Sequence, residues 1–180
     1  MTSALLLIDI QNDYFPGGAM ALEGSAEAGV RAGKLLADFR RAGRPVIHIQ
    51  HLSLQAGATF FLPGTPGAEI HSCVAPQAGE PVIVKHFPNS FRDTTLLATL
   101  QEKGIDELVI AGMMTHMCVD ATVRAAFDLA FRCHVASDAC ATRTLVFNGE
   151  SVPAAHVHGA FLAALQAVYA KVTSVSEVPG

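Results

Sequence analysis

The chain has 180 residues, a formal charge of −4 at pH 7 and a hydrophobic share of 51%, enough apolar surface for a single domain over 1–180 with a sizeable core. With a pI near 6.0 and no basic cluster, the composition excludes the electrostatic footprint of a nucleic-acid or anionic-membrane binder and leaves a small molecule as the expected partner. No apolar run approaches the roughly 20 residues that span a bilayer. The four cysteines, Cys73, Cys118, Cys133 and Cys140, lack metal-finger spacing, and no basic segment precedes the apolar start, so free thiols in a reducing cytoplasm are expected.

Short apolar runs alternate with longer stretches of helical period. This pattern belongs to βα units that build a parallel sheet buried on both faces, and it predicts an α/β fold: three layers, α/β/α, around a doubly wound, six-stranded, mainly parallel sheet. The first strand is expected over 4–10. Residues 31–42 fall in a helix that closes near Gly43, and Arg44-Pro45 leads into a second strand over 46–51. The Gly- and Pro-rich stretch 52–79 has little period, and a loop of that length in a compact domain usually serves as a lid or binding loop. Strand three follows over 81–85, a helix over 94–103 closes at Gly104, and strand four covers 107–111. A third helix is expected over 117–131, strand five over 133–136, a last helix over 152–170 and a short edge strand over 172–175.

In open parallel sheets, ligands bind beyond the carboxyl ends of the strands, where the strand order reverses. Asp9 and Lys85 each close an apolar strand, and Cys118 opens the helix after strand four. A thiol attacks as thiolate, and its pKa falls near a helix N-terminus or a lysine, so Cys118 is the candidate nucleophile. Asp9 could take the thiol proton and return it to a leaving amine, with Lys85 holding both charges in place. Backbone N–H groups over 112–118 could face a developing oxyanion. Residue by residue, Asp9 also suits a turn and Lys85 a solvated strand end, while Cys73, Cys133 and Cys140 read as small buried hydrophobes. Spacing alone leaves these alternatives open.

Three motifs add to this: LLLIDIQNDYF around Asp9, VIVKHFPNSF around Lys85 and VIAGMMTHMCVDATVRAA around Cys118. In this order and spacing the chain resembles, over nearly its whole length, the isochorismatase-like cysteine hydrolases, which include nicotinamidases, N-carbamoylsarcosine amidases, ureidoacrylate hydrolases and isochorismatases. The resemblance implies a Rossmann-like fold and an Asp9, Lys85 and Cys118 triad. It also implies a cis peptide at Met113-Met114 and an oxyanion hole from the backbone N–H groups of Met114 and Cys118. The implied reaction cleaves a C–N bond of a small amide or carbamoyl-type compound through a Cys118 thioester, with no cofactor, in a homo-oligomer (dimer or tetramer). An isochorismatase-type vinyl ether hydrolase is the alternative on the same motifs. A redox-active thiol protein, with Cys133 or Cys140 resolving Cys118, and a binding protein without turnover are alternatives of other classes.

Nicotinamidases of this family bind a divalent ion through an Asp-x-His pair and a later His. Here HIQHLS offers His48 and His51 without the Asp, His71 follows later, and no metal is expected. Phe15, Phe60, Phe87 and Phe91 lie just past strands or in the long loop, where rings line small-molecule sites. Asn12, Asn89, Thr115 and His116 could orient a substrate.

Overall fold

A computed structural model describes residues 2–178. Six parallel strands form one sheet in the order β3-β2-β1-β4-β5-β8. Its members are β1 (Ser3–Ile8), β2 (Val46–His51), β3 (Val82–Lys85), β4 (Glu107–Met113), β5 (Arg132–Ala141) and β8 (Lys171–Thr173). The chain winds outward from β1 through β2 to β3, then returns to lay β4 on the other side of β1, pairing Ile8 with Gly112. The strand order therefore reverses between β1 and β4, and a crevice opens at their carboxyl ends.

Period-2 alternation divides β1 between two cores. Leu5 and Leu7 pack with Ala28, Ala32, Leu35, Leu36 and Phe39 of α1 (Ser25–Arg41), whereas Ala4, Leu6 and Ile8 face the opposite side. That side is covered by α2 (Leu96–Glu102), α3 (Asp120–Asp128) and α4 (Ala154–Val168), through Leu96, Leu100, Val123, Ala126, Leu162 and Leu165. The expected α/β/α layering and doubly wound sheet are present.

Three local expectations change. Strand five runs to Ala141 rather than 136, because a register shift between Ile110 and Gly112 lets β5 continue past its polar Ser137-Asp138. The last helix starts at Ala154, after an antiparallel hairpin of β6 (Leu145–Phe147) and β7 (Glu150–Val152). The third helix is split, with a π-helical turn over Thr115–Val119 preceding α3.

An ion-pair cluster ties α1 to the start of β3. Arg40 Nε and Nη2 donate to the Glu80 carboxylate, both at 2.7 Å, and buried His48 Nε2 donates to Glu80 Oε2 at 2.8 Å. Burial lowers the His48 pKa and favours this neutral, donating form. The Arg40 hydrogen bonds hold Glu80 down at about 2. A carboxylate held below its unfolded value adds stability that is present above about pH 4.5 and lost as pH falls toward 2. Urea midpoints at pH 7 and pH 3 should therefore differ less in Glu80→Gln than in wild type, with the variant on the order of 2 kcal/mol weaker at pH 7.

Candidate active site

Asp9, Lys85 and Cys118 reach the crevice by separate local devices. Asp9 is the first residue past β1, and its backbone turns left-handed at φ 51°, a conformation aspartate tolerates better than most side chains. In β3, Val82 and Val84 face outward, so alternation carries Ile83 and Lys85 inward, and Lys85 is fully buried. Gly112, at φ +151°, lies so close to β1 that a Cβ there would sit 2.2 Å from Ile8 O. Only glycine allows that approach. The Met113-Met114 peptide is cis, and the π-helical turn then places Cys118 beside Lys85.

Lys85 Nζ is the hub of the site. It lies 2.7 Å from Asp9 Oδ2, 2.9 Å from His51 Nδ1, 3.1 Å from Phe87 O and 3.3 Å from Cys118 Sγ. An ammonium has three N–H donors, so four acceptors compete for them. Apart from this ion pair, neither Asp9 oxygen has a hydrogen-bond partner among the described residues. Burial pulls the Lys85 pKa down, but the Asp9 charge, with the hydrogen bonds to Asp9 and Cys118, outweighs it and holds the ammonium above its ordinary value.

The thiol departs from the sequence-based expectation. Burial first, and the Asp9 charge second, push the Cys118 pKa well above that of a free cysteine, and Lys85 only partly opposes them. Cys118 therefore rests as a thiol beside an ionised Asp9–Lys85 pair, rather than as a preformed thiolate at the first turn of an α-helix. Burial also lowers the His51 pKa, to about 4, with Lys85 adding to the effect, so that ring is neutral.

A cavity of about 330 Å³ opens over Cys118. Its wall is the long loop after β2, through Ser53, Leu54, Gln55, Thr59, Phe60 and Phe61, completed by Tyr14, His51, His86, Pro88, Met114 and Met117. Two residues of the first motif, which the sequence reading passed over, hold that loop. Gln11 Nε2 donates to His51 O and Ala68 O, its Oε1 accepts from His51 N, and Asp13 Oδ2 accepts from Phe61 N at 2.7 Å. Gly67 packs so tightly on Asp13 that a Cβ would meet Oδ1 at 2.1 Å. Their signal was the pair of polar residues directly after an apolar strand, facing a loop that had to be anchored.

Among the eight residues expected to contact substrate, Phe60 lines this cavity. Asn12 donates to Pro66 O and Phe15 stacks on His71, both beside a shallower depression. Phe87 lies under the Arg92 guanidinium and contributes its carbonyl to Lys85. Asn89 accepts from Phe91 N, and Phe91 packs on Phe131. Thr115 is buried against Ala141 O and His158, and His116 pairs with Thr142. Each of these side chains is held by a protein partner rather than facing the cavity.

The histidines weighed for a metal are dispersed. His48 serves Glu80, His71 accepts from Cys73 N, and His51 accepts from Lys85. Ligand atoms of Asp9, His51 and Cys118 do lie within 4.8 Å of one another. The Lys85 ammonium, within hydrogen-bond distance of all three, already takes the place a cation would occupy. This donor set does not fit a metal ion.

The profile of the Isochorismatase domain family matches residues 3–177. The chain is 56% identical over 172 residues to the isochorismatase family protein YddQ of Bacillus subtilis, covering 96% of each. It is 33% identical over 143 residues to maleamate amidohydrolase of Pseudomonas putida, covering 72% of this chain and 67% of that protein. The crystal structure of an isochorismatase-family protein from Oleispira antarctica superposes with a TM-score of 0.95 at 54% identity, over 98% of this chain and 95% of the other.

Proposed function

The chain belongs to the isochorismatase family of hydrolases, and from that premise we propose that it is a cysteine hydrolase cleaving a C–N bond of a small amide or carbamoyl-type compound through a Cys118 thioester. The observation that carries this reading is the Lys85 ammonium, placed between the Asp9 carboxylate and a Cys118 thiol that lines the cavity.

The cycle follows from the charges. With substrate bound, the Cys118 proton passes to Asp9 and the sulfur adds to the carbonyl carbon. Lys85 turns an N–H toward the new thiolate, so the protein's charges stay balanced locally. Backbone N–H groups of Met114 and Cys118, both on the cavity lining, receive the oxyanion, and a donor of this kind is worth about 3 kcal/mol of barrier. The C–N bond then breaks as Asp9 returns its proton to the leaving nitrogen. Water attacks the thioester, giving one proton to Asp9, and the C–S bond then breaks, releasing the carboxylic acid as Asp9 returns that proton to the sulfur.

An amide is favoured over a carboxylated vinyl ether because no Lys or Arg is among the residues lining the cavity. Redox chemistry is disfavoured because burial pushes Cys133 and Cys140 up to about 12 and keeps them as thiols. Among the described residues no helix is long and apolar enough to cross a membrane. The cytoplasmic location and the homo-oligomer implied by the resemblance remain part of this proposal, the latter testable by light scattering.

The test is ammonia release from a panel of small amides and carbamoyl compounds. Turnover by wild type, absent in Cys118→Ala, supports the reading. Turnover that survives in Cys118→Ala contradicts it.

A further inference from the structure

Two imidazoles line the cavity over Cys118, and the protein has fixed them in opposite states. His51 Nδ1 lies 2.9 Å from Lys85 Nζ. An ammonium only donates, so Nδ1 carries the lone pair and a neutral ring must carry its hydrogen on Nε2. The lowered His51 pKa, caused first by burial and then by Lys85, is consistent with the neutral ring. His86 Nδ1 lies 2.8 Å from Leu52 O. A carbonyl only accepts, so this Nδ1 carries the hydrogen, and Nε2 of a neutral His86 keeps a lone pair.

Among the described residues neither Nε2 atom has a hydrogen-bond partner, and neither is a buried orphan, although both residues are part of the cavity wall. The two rings are near enough for a charge on His86 to act on His51. The two imidazoles thus offer one donor, His51 Nε2–H, and one acceptor, His86 Nε2. The cavity lining holds no Lys or Arg to balance an anion.

Resting on the amide-hydrolase reading above, we propose that His51 and His86 form a donor–acceptor pair that reads a second amide-type group, so that the preferred substrate is uncharged and carries a carboxamide or ureide beside the scissile bond. The carbonyl of that group accepts from His51 Nε2–H, and its N–H donates to His86 Nε2. An ester in the same place offers no hydrogen to His86. A carboxylate offers none either and brings a charge that the lining does not balance.

The full-length Cys118→Ala protein tests this without chemistry, by ligand-observed NMR titration with isophthalamide, methyl 3-carbamoylbenzoate and 3-carbamoylbenzoate. The diamide should bind about fivefold more tightly than the ester, the worth of one net hydrogen bond, with the carboxylate weakest. Adding His86→Phe should bring diamide and ester to equal affinity. Equal binding of diamide and ester in the Cys118→Ala parent overturns the proposal, as does a tighter carboxylate or no binding of any of the three. These readings need no second variant to fold. A preference for the diamide that persists in folded His86→Phe also overturns it. Wild-type protein that prefers the diamide yet forms no acyl adduct would refute the hydrolase reading alone.

Discussion

Replacing Asp9 with asparagine is expected to lower kcat by about three orders of magnitude while making Cys118 more reactive toward iodoacetamide. The first effect follows from the proposed cycle, in which every proton transfer passes through this carboxylate, and general acid–base steps are worth about 10²- to 10⁴-fold. The second follows from electrostatics. After burial, the Asp9 charge is the largest influence pushing the thiol up, and Lys85 pulls it down. An amide side chain removes the first charge and leaves the second, so the thiolate fraction near neutral pH rises. Alkylation followed by intact mass reads this directly. A merely structural role for Asp9 would lower both quantities together, and retention of turnover within about tenfold would remove Asp9 from the mechanism.

Lys85→Met is expected to produce the opposite reactivity and the larger loss of stability. Without the ammonium, Cys118 keeps its burial and the Asp9 charge but loses the group that opposes them, so alkylation slows. Asp9 and Lys85 are both fully buried and 2.7 Å apart. Breaking such a pair from one side leaves an uncompensated charge and costs about 3 to 5 kcal/mol. The double variant Asp9→Asn with Lys85→Met removes both charges and should regain most of that loss without regaining activity.

The pH dependence has a fixed sign. A lysine held above its ordinary value contributes stability that is present below about pH 10.5 and is lost as pH rises through the raised pKa. Urea unfolding of the four proteins at mildly acidic, neutral and alkaline pH measures all of this. Additive losses in the double variant would mean that the pair is not coupled in the folded state.

Much of the site was legible because charged residues ending apolar strands are conspicuous. Asp9 and Lys85 each follow a run that has no other reason to stop on a charge, and the family-like motifs tied them to Cys118. The thiol's raised pKa was not legible, because it depends on how deeply a π-helical turn sinks Cys118 beside Asp9, and no local pattern encodes that depth. The β6–β7 hairpin was readable in principle. Asn148-Gly149 separates LVF from ESV, both residues adopt positive φ, and Asn-Gly is a strong two-residue hairpin signal. The helical period following Pro153 concealed it. Thr115 and His116 looked like pocket residues because they neighbour the nucleophile in sequence, yet the turn directs them to Ala141, Thr142 and His158. The long loop was expected to serve the site, and it forms the wall that contains Phe60. Its anchors Gln11 and Asp13 gained meaning only once the loop's path over β1 was fixed.

The most direct test of the covalent cycle is rapid-quench intact-mass analysis of wild type mixed with a small amide that it turns over. The account predicts a transient mass increase equal to the acyl group, mapped by peptide digestion to Cys118, and absent in Cys118→Ala. Steady release of ammonia with no acyl species at any quench time, under conditions where thioester hydrolysis is slower than its formation, would contradict it.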